Sequence, residues 1–409
     1  MATRVTAATV ANVGTSATNW ALNVGASIGL TSQALPDGTT GSQVTASSAS
    51  GANLRVNYNG GVTIDTAAKT IEFEINVISP SATNTEVALN FLLANDAGFT
   101  NAFTLKGGGL TVSCNRGWQK FRFGFDDFEV SSGAPVFTST MNTVRWNFSL
   151  VASTVITIGF RNLGYGGWDK PFGVIMFDDQ HETVYDVAYP IMSARSMPGT
   201  VACIGKYLDE TGSHDGVGQC TVTELLTLKD AGWAMVNHTM NHPQGVLTTE
   251  SISYCRREIE DCATLLNKLK LSKNGSELVF APPYGEWSDD YLEAARQAGV
   301  TFFRGTVCDG TQAGDPPHCP GFLPTTLRPY QCLVVSNITT ATIIKDHISR
   351  CATAGRCLII LYHYIVTPAD TSLKHSVANF TDEMGHAYAK SALINWVTLP
   401  EYVYNLVNP

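Results

Sequence analysis

The sequence is short of charge. Only 15% of its 409 residues are Asp, Glu, Lys or Arg, against 44% hydrophobic residues. That balance excludes a long disordered tail and supplies apolar material for sizeable cores. A chain of this length suits two or three domains. No run of about 18 apolar residues occurs, so no membrane-spanning helix is expected. The first residues carry one basic group, Arg4, and many polar interruptions, and they lack the apolar core of a secretory signal. Two expectations follow: a protein not exported by that route, or one whose signal has been removed. Basic residues are the scarcer sign, 26 against 35 acidic, for a net charge of −9. Residues 1–170 are neutral, so the acidic excess lies wholly in the remainder. An acidic second half argues against nucleic acid as a partner, because phosphates need a basic footprint. Cysteine is nearly missing from the first part. Of ten, only Cys114 precedes residue 171, and the rest are odd in number and contain no C-x-x-C. Reduced, buried thiols are the expectation, with a Cys308–Cys319 disulfide as the alternative.

Residues 1–50 are rich in Ala, Thr, Ser, Gly and Asn and nearly uncharged, which reads as an extended arm or attachment segment. From 51 to 165 the chain alternates apolar and polar residues in short stretches, as in 54–58, 70–77, 121–125 and 154–160. Period-2 alternation marks strands with one buried face, and many of them without strong helices predict an all-β, sandwich-like domain of binding or structural type. Gly164–Trp168 then reads as a linker. From 171 to 409 the rhythm is strand–helix–strand. Thr221 with Glu224 forms a capping box before an apolar run, Ile252 to Leu269 repeats apolar residues at helical steps, and Ser288 is placed to cap a further helix. This alternation predicts an α/β domain, a distorted parallel (β/α) barrel.

Working residues of a parallel barrel sit where strands end. Val174–Phe177 is followed by Asp178 and Asp179, and Ala234–Asn237 by His238 and His242. Val279–Phe280 leads to Pro283-Tyr284-Gly285, and Ile359–Leu361 to His363. Each piece has a bland reading: a turn or helix cap for the Asp pair, a turn for Pro-Tyr-Gly, a satisfied core histidine for His363. Their joint arrival at successive strand ends favours chemistry. One carboxylate and two histidines leave a divalent metal with open positions. A second carboxylate can take a proton from water, a further histidine can protonate a leaving group, and backbone N–H groups at a tight turn can hold an oxyanion.

The segments Phe177-Asp178-Asp179-Gln180, His238-Thr239-Met240-Asn241-His242, Pro283-Tyr284-Gly285 and Leu361-Tyr362-His363 resemble motifs one, two, three and five of the polysaccharide deacetylases. These are the NodB-homology enzymes of carbohydrate esterase family 4. The resemblance implies a metal-dependent hydrolase that removes N- or O-linked acetyl groups from a polysaccharide. It implies Asp178 as base, His363 as acid, and Asp179, His238 and His242 as ligands of zinc, with cobalt or nickel as substitutes. It also implies the Tyr284 N–H as an oxyanion donor, with Pro283, Gly285 and Leu361 lining the substrate pocket. Motif one ordinarily ends in Gly, where Gln180 and then His181 stand here. His181 reads as a solvated or capping residue. Motif three ordinarily opens with Arg, where Ala281 stands, and motif four is not recognisable near Thr301–Gly305. Arg304, the first charged residue after its strand, is expected to supply the guanidinium missing at 281; a surface arginine is the bland alternative.

The unsignalled, Thr/Ala/Gly/Asn-rich start resembles a bacteriophage tail fibre or tailspike enzyme acting on capsule or O-antigen. That implies a virion tail location, with a homotrimer or other tail proteins as partners. A secreted enzyme with its signal trimmed is the alternative. A reading of another class is a non-catalytic carbohydrate-binding or structural adhesin on a decayed barrel, against which the intact Asp/His set argues.

Overall fold

A computed structural model describes residues 4–11, 20–22, 27–34, 40–47, 54–58, 62–63, 70–79, 86–105, 110–113, 119–136, 140–141, 143–149, 155–168, 170–208, 213–214, 217–245, 249–305, 329–330, 332–355, 357–367 and 373–407. Cys114, Cys308 and Cys319 lie outside them.

Two antiparallel sheets form the first unit. One contains Gln119–Gly124, Thr70–Ser79, Val155–Trp168, Thr40–Ser47 and Ser27–Ala34 in that order, with Arg4–Ala11 also on Val155–Trp168. The other runs Phe128–Ser132, Ala102–Leu105, Glu86–Ala94, Thr143–Ser149, Leu54–Tyr58 and Trp20–Leu22, with Leu110–Ser113 on Glu86–Ala94. Alternate residues face inward, as the sequence pattern predicts: Ile71, Phe73 and Ile75 from one sheet, Leu89, Phe91 and Leu93 from the other. The Phe73 and Phe91 rings approach to 4.5 Å, and Trp146 meets Phe73 edge-on at 5.9 Å.

Two readings need correction. Residues 1–50 are not an extended arm, because four of their stretches pair into these sheets. Gly164–Trp168 is not a linker either; it is the end of a 14-residue strand, bonded to Arg4–Ala11 on one side and Thr70–Ser79 on the other. The sheets therefore reach from Arg4 to Trp168.

The second unit is a parallel sheet with helices outside it. Its strands are β1 (Phe172–Phe177), β2 (Thr200–Cys203), β3 (Ala234–Asn237), β4 (Val279–Phe280), β5 (Phe302–Arg304), β6 (Pro329–Tyr330), β7 (Leu333–Val334), β8 (Leu358–Tyr362) and β9 (Asn395–Trp396). The order is β6-β5-β4-β3-β2-β1-β8-β7, with β9 on β1. β6 and β7 are opposite edges of that sheet, yet only residues 331 and 332 separate them in the chain. The sheet must curl until its edges lie two residues apart, which makes a distorted (β/α) barrel.

The helices are α1 (Tyr189–Ser193), α2 (Val222–Asp230), α3 (Ile252–Lys268), α4 (Asp289–Gln297), α5 (Ala341–Ala354), α6 (Val377–Ala389) and α7 (Leu399–Val407). The expected capping box opens α2: Thr221 Oγ1 accepts from Glu224 N and Glu224 Oε2 accepts from Thr221 N. Ser288 caps α4 through the Tyr291 N–H. No helix among the described residues is long and apolar enough to cross a membrane.

Side-chain alternation along the strands decides which residues see the barrel axis. Val174, Met176, Ala202, Val236, Val279, Ala281, Phe302, Ile359 and Leu361 form an inner cluster, joined by Leu399 and Tyr402 of α7. Ile175, Phe177, Cys203, Met235, Ile360 and Tyr362 point outward under helices. Continued by the same period, Asp178, His238, Arg304 and His363 fall on the inner side at one end.

The barrel's three apolar clusters contain no residue before Phe172. The two units do touch: Arg350 of α5 lies 3.4 Å from the buried Asp127 carboxylate. Because the barrel's core is its own, residues 170–409 are expected to fold alone with a single cooperative thermal transition by circular dichroism. A molten, non-cooperative product would show that the sheets of the first unit are needed.

Candidate active site

The site assembles on backbone that ordinary residues avoid. Asp179, Gln180, Thr239, His242 and Tyr284 all have positive φ, between 40° and 70°. Left-handed backbone at non-glycine residues costs free energy and persists where the surroundings over-determine it. The surroundings do so here. The Asp178 N–H bonds Tyr362 O at 3.1 Å. The Gln180 side chain pairs twice with Ile204 at the end of β2, donating to its carbonyl at 3.0 Å and accepting from its N–H at 2.6 Å. The residue standing where the family has Gly thus clips the first loop to the neighbouring strand.

The His238–His242 loop is held from behind. Asn237 Oδ1 accepts from Thr239 N, and Thr239 Oγ1 accepts from His242 N, each at 3.0 Å. Glu258, buried on α3, takes both the Asn241 N–H (2.8 Å) and its side-chain amide (2.7 Å). The sequence reading did not single out Glu258. Its only signal was a carboxylate beside the apolar stripe Cys255, Ile259, Cys262.

Asp179, His238 and His242 converge, their candidate ligand atoms all within 4.8 Å of one another. Asp179 Oδ1 is buried, 3.2 Å from Nε2 of each histidine. His238 Nδ1 is 2.6 Å from Ala281 O, so it carries a proton and donates it. In the neutral ring, Nε2 is then a lone pair facing a carboxylate oxygen. Acceptor facing acceptor in a buried place fits a cation between them, and one carboxylate with two imidazoles suits a zinc-like divalent ion. Burial works against ionised Asp179, but the facing His181, His238 and His242 rings more than reverse this and hold its carboxyl well below the usual range. Burial also opposes charge on His238, where Asp178 and Asp179 prevail and raise the pKa; at His242 and His363 burial prevails and lowers it.

Arg304 is not a surface arginine. It is fully buried and donates from Nη2 to Asp178 Oδ2 at 2.5 Å. Burial disfavours its charge, and Asp178 outweighs that, so its pKa lies above the ordinary value. Phe280 pairs with Phe303, so Ala281 and Arg304 are next in register on adjacent strands. The small Ala281 side chain leaves room for a guanidinium arriving from β5. Because Arg304 touches the carboxylate, it is a positioning residue for Asp178. Asp178 Oδ1 is buried and has no hydrogen-bond partner among the described residues.

Pro283–Gly285 forms a short turn at the end of β4, with Tyr284 half exposed and its ring 4.8 Å from that of His242. His363 lies just past β8, partly open to solvent. Leu361 is fully buried in the inner cluster, two residues below His363. His181 departs from expectation, being fully buried, with its Nε2 3.5 Å from Asp179 Oδ2.

Seven cysteines, from Cys203 to Cys357, are buried among the described residues. Burial pushes the thiols of Cys220 and Cys262 up to about 12, so at pH 8 they stay protonated and unreactive. A thiol reagent is expected to label at most the three others in the native protein and to reach the buried ones, Cys220 and Cys262 among them, only after denaturation. Labelling of more than three in the native state would contradict this burial.

Residues 168–303 match the family model described as polysaccharide deacetylase. Over 136 residues the chain is 31% identical to a poly-β-1,6-N-acetyl-D-glucosamine N-deacetylase of Staphylococcus aureus, covering 31% of this chain and 45% of that protein. A Staphylococcus epidermidis protein of the same name is 27% identical over 135 residues, with the same coverage. The chain thus spans less than half the length of the curated relatives it matches. Among solved structures, it is similar to a family 4 carbohydrate esterase from Streptomyces lividans in complex with acetate, at 16% identity and TM-score 0.37, covering 54% of this chain and 88% of that one. Asp178, Asp179, His238, His242 and Pro283–Gly285 lie inside the span that matches the family model, and Arg304 and His363 beyond it.

Proposed function

We propose that the barrel hydrolyses acetyl groups from a polysaccharide with the help of one divalent metal, zinc by the chemistry of its donors, held by Asp179, His238 and His242. The observation that carries this reading is the buried Asp179 Oδ1 between two imidazole nitrogens, with the base Asp178 one residue away. When bound, the ion supplies Lewis acidity to the acetyl carbonyl and to the attacking water.

The chain's own groups do the rest. Asp178 has one oxygen held by Arg304 and the other without a partner, so Oδ1 accepts the proton of the attacking water. The left-handed Tyr284 turn presents backbone N–H to the oxyanion. His363, at the mouth, donates a proton to the leaving nitrogen or oxygen. Burial lowers its pKa, so its protonated, donating form gains population as the pH falls.

The substrate proposed is an acetylated bacterial surface glycan. The relatives' names direct the first test to poly-β-1,6-N-acetyl-D-glucosamine, and the Thr/Ala/Gly/Asn-rich composition of residues 1–50 keeps capsule and O-antigen, met from a virion tail, as the next. Acetate release is to be measured over a panel of N- and O-acetylated glycans. Release from at least one, lost in His363→Ala, is expected. No release from any, with sugar binding intact, would favour the adhesin reading.

A further inference from the structure

Asp179 has two oxygens, and the site works only if the right one faces the histidines. Oδ1 does so; Oδ2 faces His181. We propose that His181 is a positioning residue that points Nε2–H at Asp179 Oδ2, 3.5 Å away, and so holds the carboxylate with Oδ1 toward the metal position. This rests on the metal reading above.

Three observations place His181 for the task. Its ring is fully buried and stacked on Tyr364, with centroids 3.7 Å apart and planes at 26°. Its backbone bridges to Gln219, and Cys220 N donates to Gln180 O at 2.8 Å, so the loop is tied on both sides of the ring. Its Nδ1 lies 3.1 Å from the Gln219 side-chain amide nitrogen.

That last contact sets the tautomer. An amide nitrogen only donates, so Nδ1 accepts and the ring proton of neutral His181 sits on Nε2. The opposite amide orientation would put the ring proton on Nδ1. Nε2 would then be a lone pair aimed at the Asp179 carboxylate with both groups buried, which is costly. Only the donating arrangement leaves Nε2 and Oδ2 complementary. The usual pattern of a carboxylate orienting a ligand histidine is here inverted, with a histidine orienting a ligand carboxylate. Partners of this kind change metal affinity by about 10–100-fold.

The test is Co²⁺ titration of metal-free full-length protein, followed by visible absorption, for wild type, His181→Leu, His181→Gln and His238→Ala. Glutamine keeps an N–H donor near the Nε2 position but loses the ring stacking. Wild type is expected to bind one equivalent, His181→Leu about tenfold or more weakly, and His181→Gln within about threefold of wild type. A His181→Leu affinity within twofold of wild type would overturn the proposal. Equal losses in Leu and Gln would reduce His181 to packing, and loss as complete as in His238→Ala would make it a ligand; either overturns it. Absence of a wild-type site that His238→Ala removes would instead sink the metal reading, and this inference with it. Ring ¹⁵N shifts of wild-type His181 need no folded variant: a proton on Nε2 supports the proposal and a proton on Nδ1 overturns it.

Discussion

Asp178→Asn is expected to lower kcat by roughly 10²–10⁴-fold, the range for removing a general base, while the metal stays bound. His238→Ala is expected to lose both. The geometry separates the two aspartates. His238 Nε2 is 3.2 Å from Asp179 Oδ1 and 3.8 Å from Asp178 Oδ2, and that Asp178 oxygen is taken by Arg304. Asparagine can still accept from Arg304, but the amide nitrogen it then turns inward cannot take a proton from water. Metal content by elemental analysis, beside kcat on the same samples, checks the pair. If Asp178→Asn loses metal as completely as His238→Ala, the two carboxylates have exchanged roles.

The second large effect belongs to Arg304. Arg304→Ala leaves Asp178 buried without its counter-charge. Removing one partner of a buried pair costs about 3–5 kcal/mol, so the variant is expected to melt well below wild type. Its kcat should fall about 100-fold, since the base is no longer held in place. Arg304→Lys is expected to recover stability better than rate, because an ammonium is a point charge and lacks the guanidinium's rigid, planar fork. Returning the arginine to the neighbouring strand, as Ala281→Arg with Arg304→Ala, tests the register argument directly: partial recovery of kcat is expected. Near-wild-type kcat in Arg304→Ala itself would reject the role.

The catalytic strand ends were legible in the sequence because period-2 alternation says which residues reach the axis and a parallel barrel says at which end. Arg304 was legible for the same reason, as the first charge at the end of its strand. Its partner was legible only through the gap at Ala281. What the sequence hid were pairings across long separations. His181 is buried because Gln219 and Tyr364 close on it, and nothing local to Gln180-His181-Glu182 announces that. Glu258 serves the His238–His242 loop from another element altogether. The first 50 residues misled for a different reason. Ser27–Ala34 pairs with Thr40–Ser47 through backbone hydrogen bonds, which polar Ser/Thr/Gly stretches make as well as apolar ones. Gly164, Gly166 and Gly167 looked like part of a linker, yet they sit in a strand bonded on both sides.

The central claim is that hydrolysis depends on an ion at Asp179, His238 and His242. The direct measurement is acetate release by wild-type protein on its best glycan, before chelation, after chelation, and after adding one equivalent of zinc or cobalt. The account predicts release, then loss of release, then recovery in proportion to metal bound, with no recovery in His238→Ala. Undiminished release from protein shown by elemental analysis to hold far less than one metal per chain would contradict it.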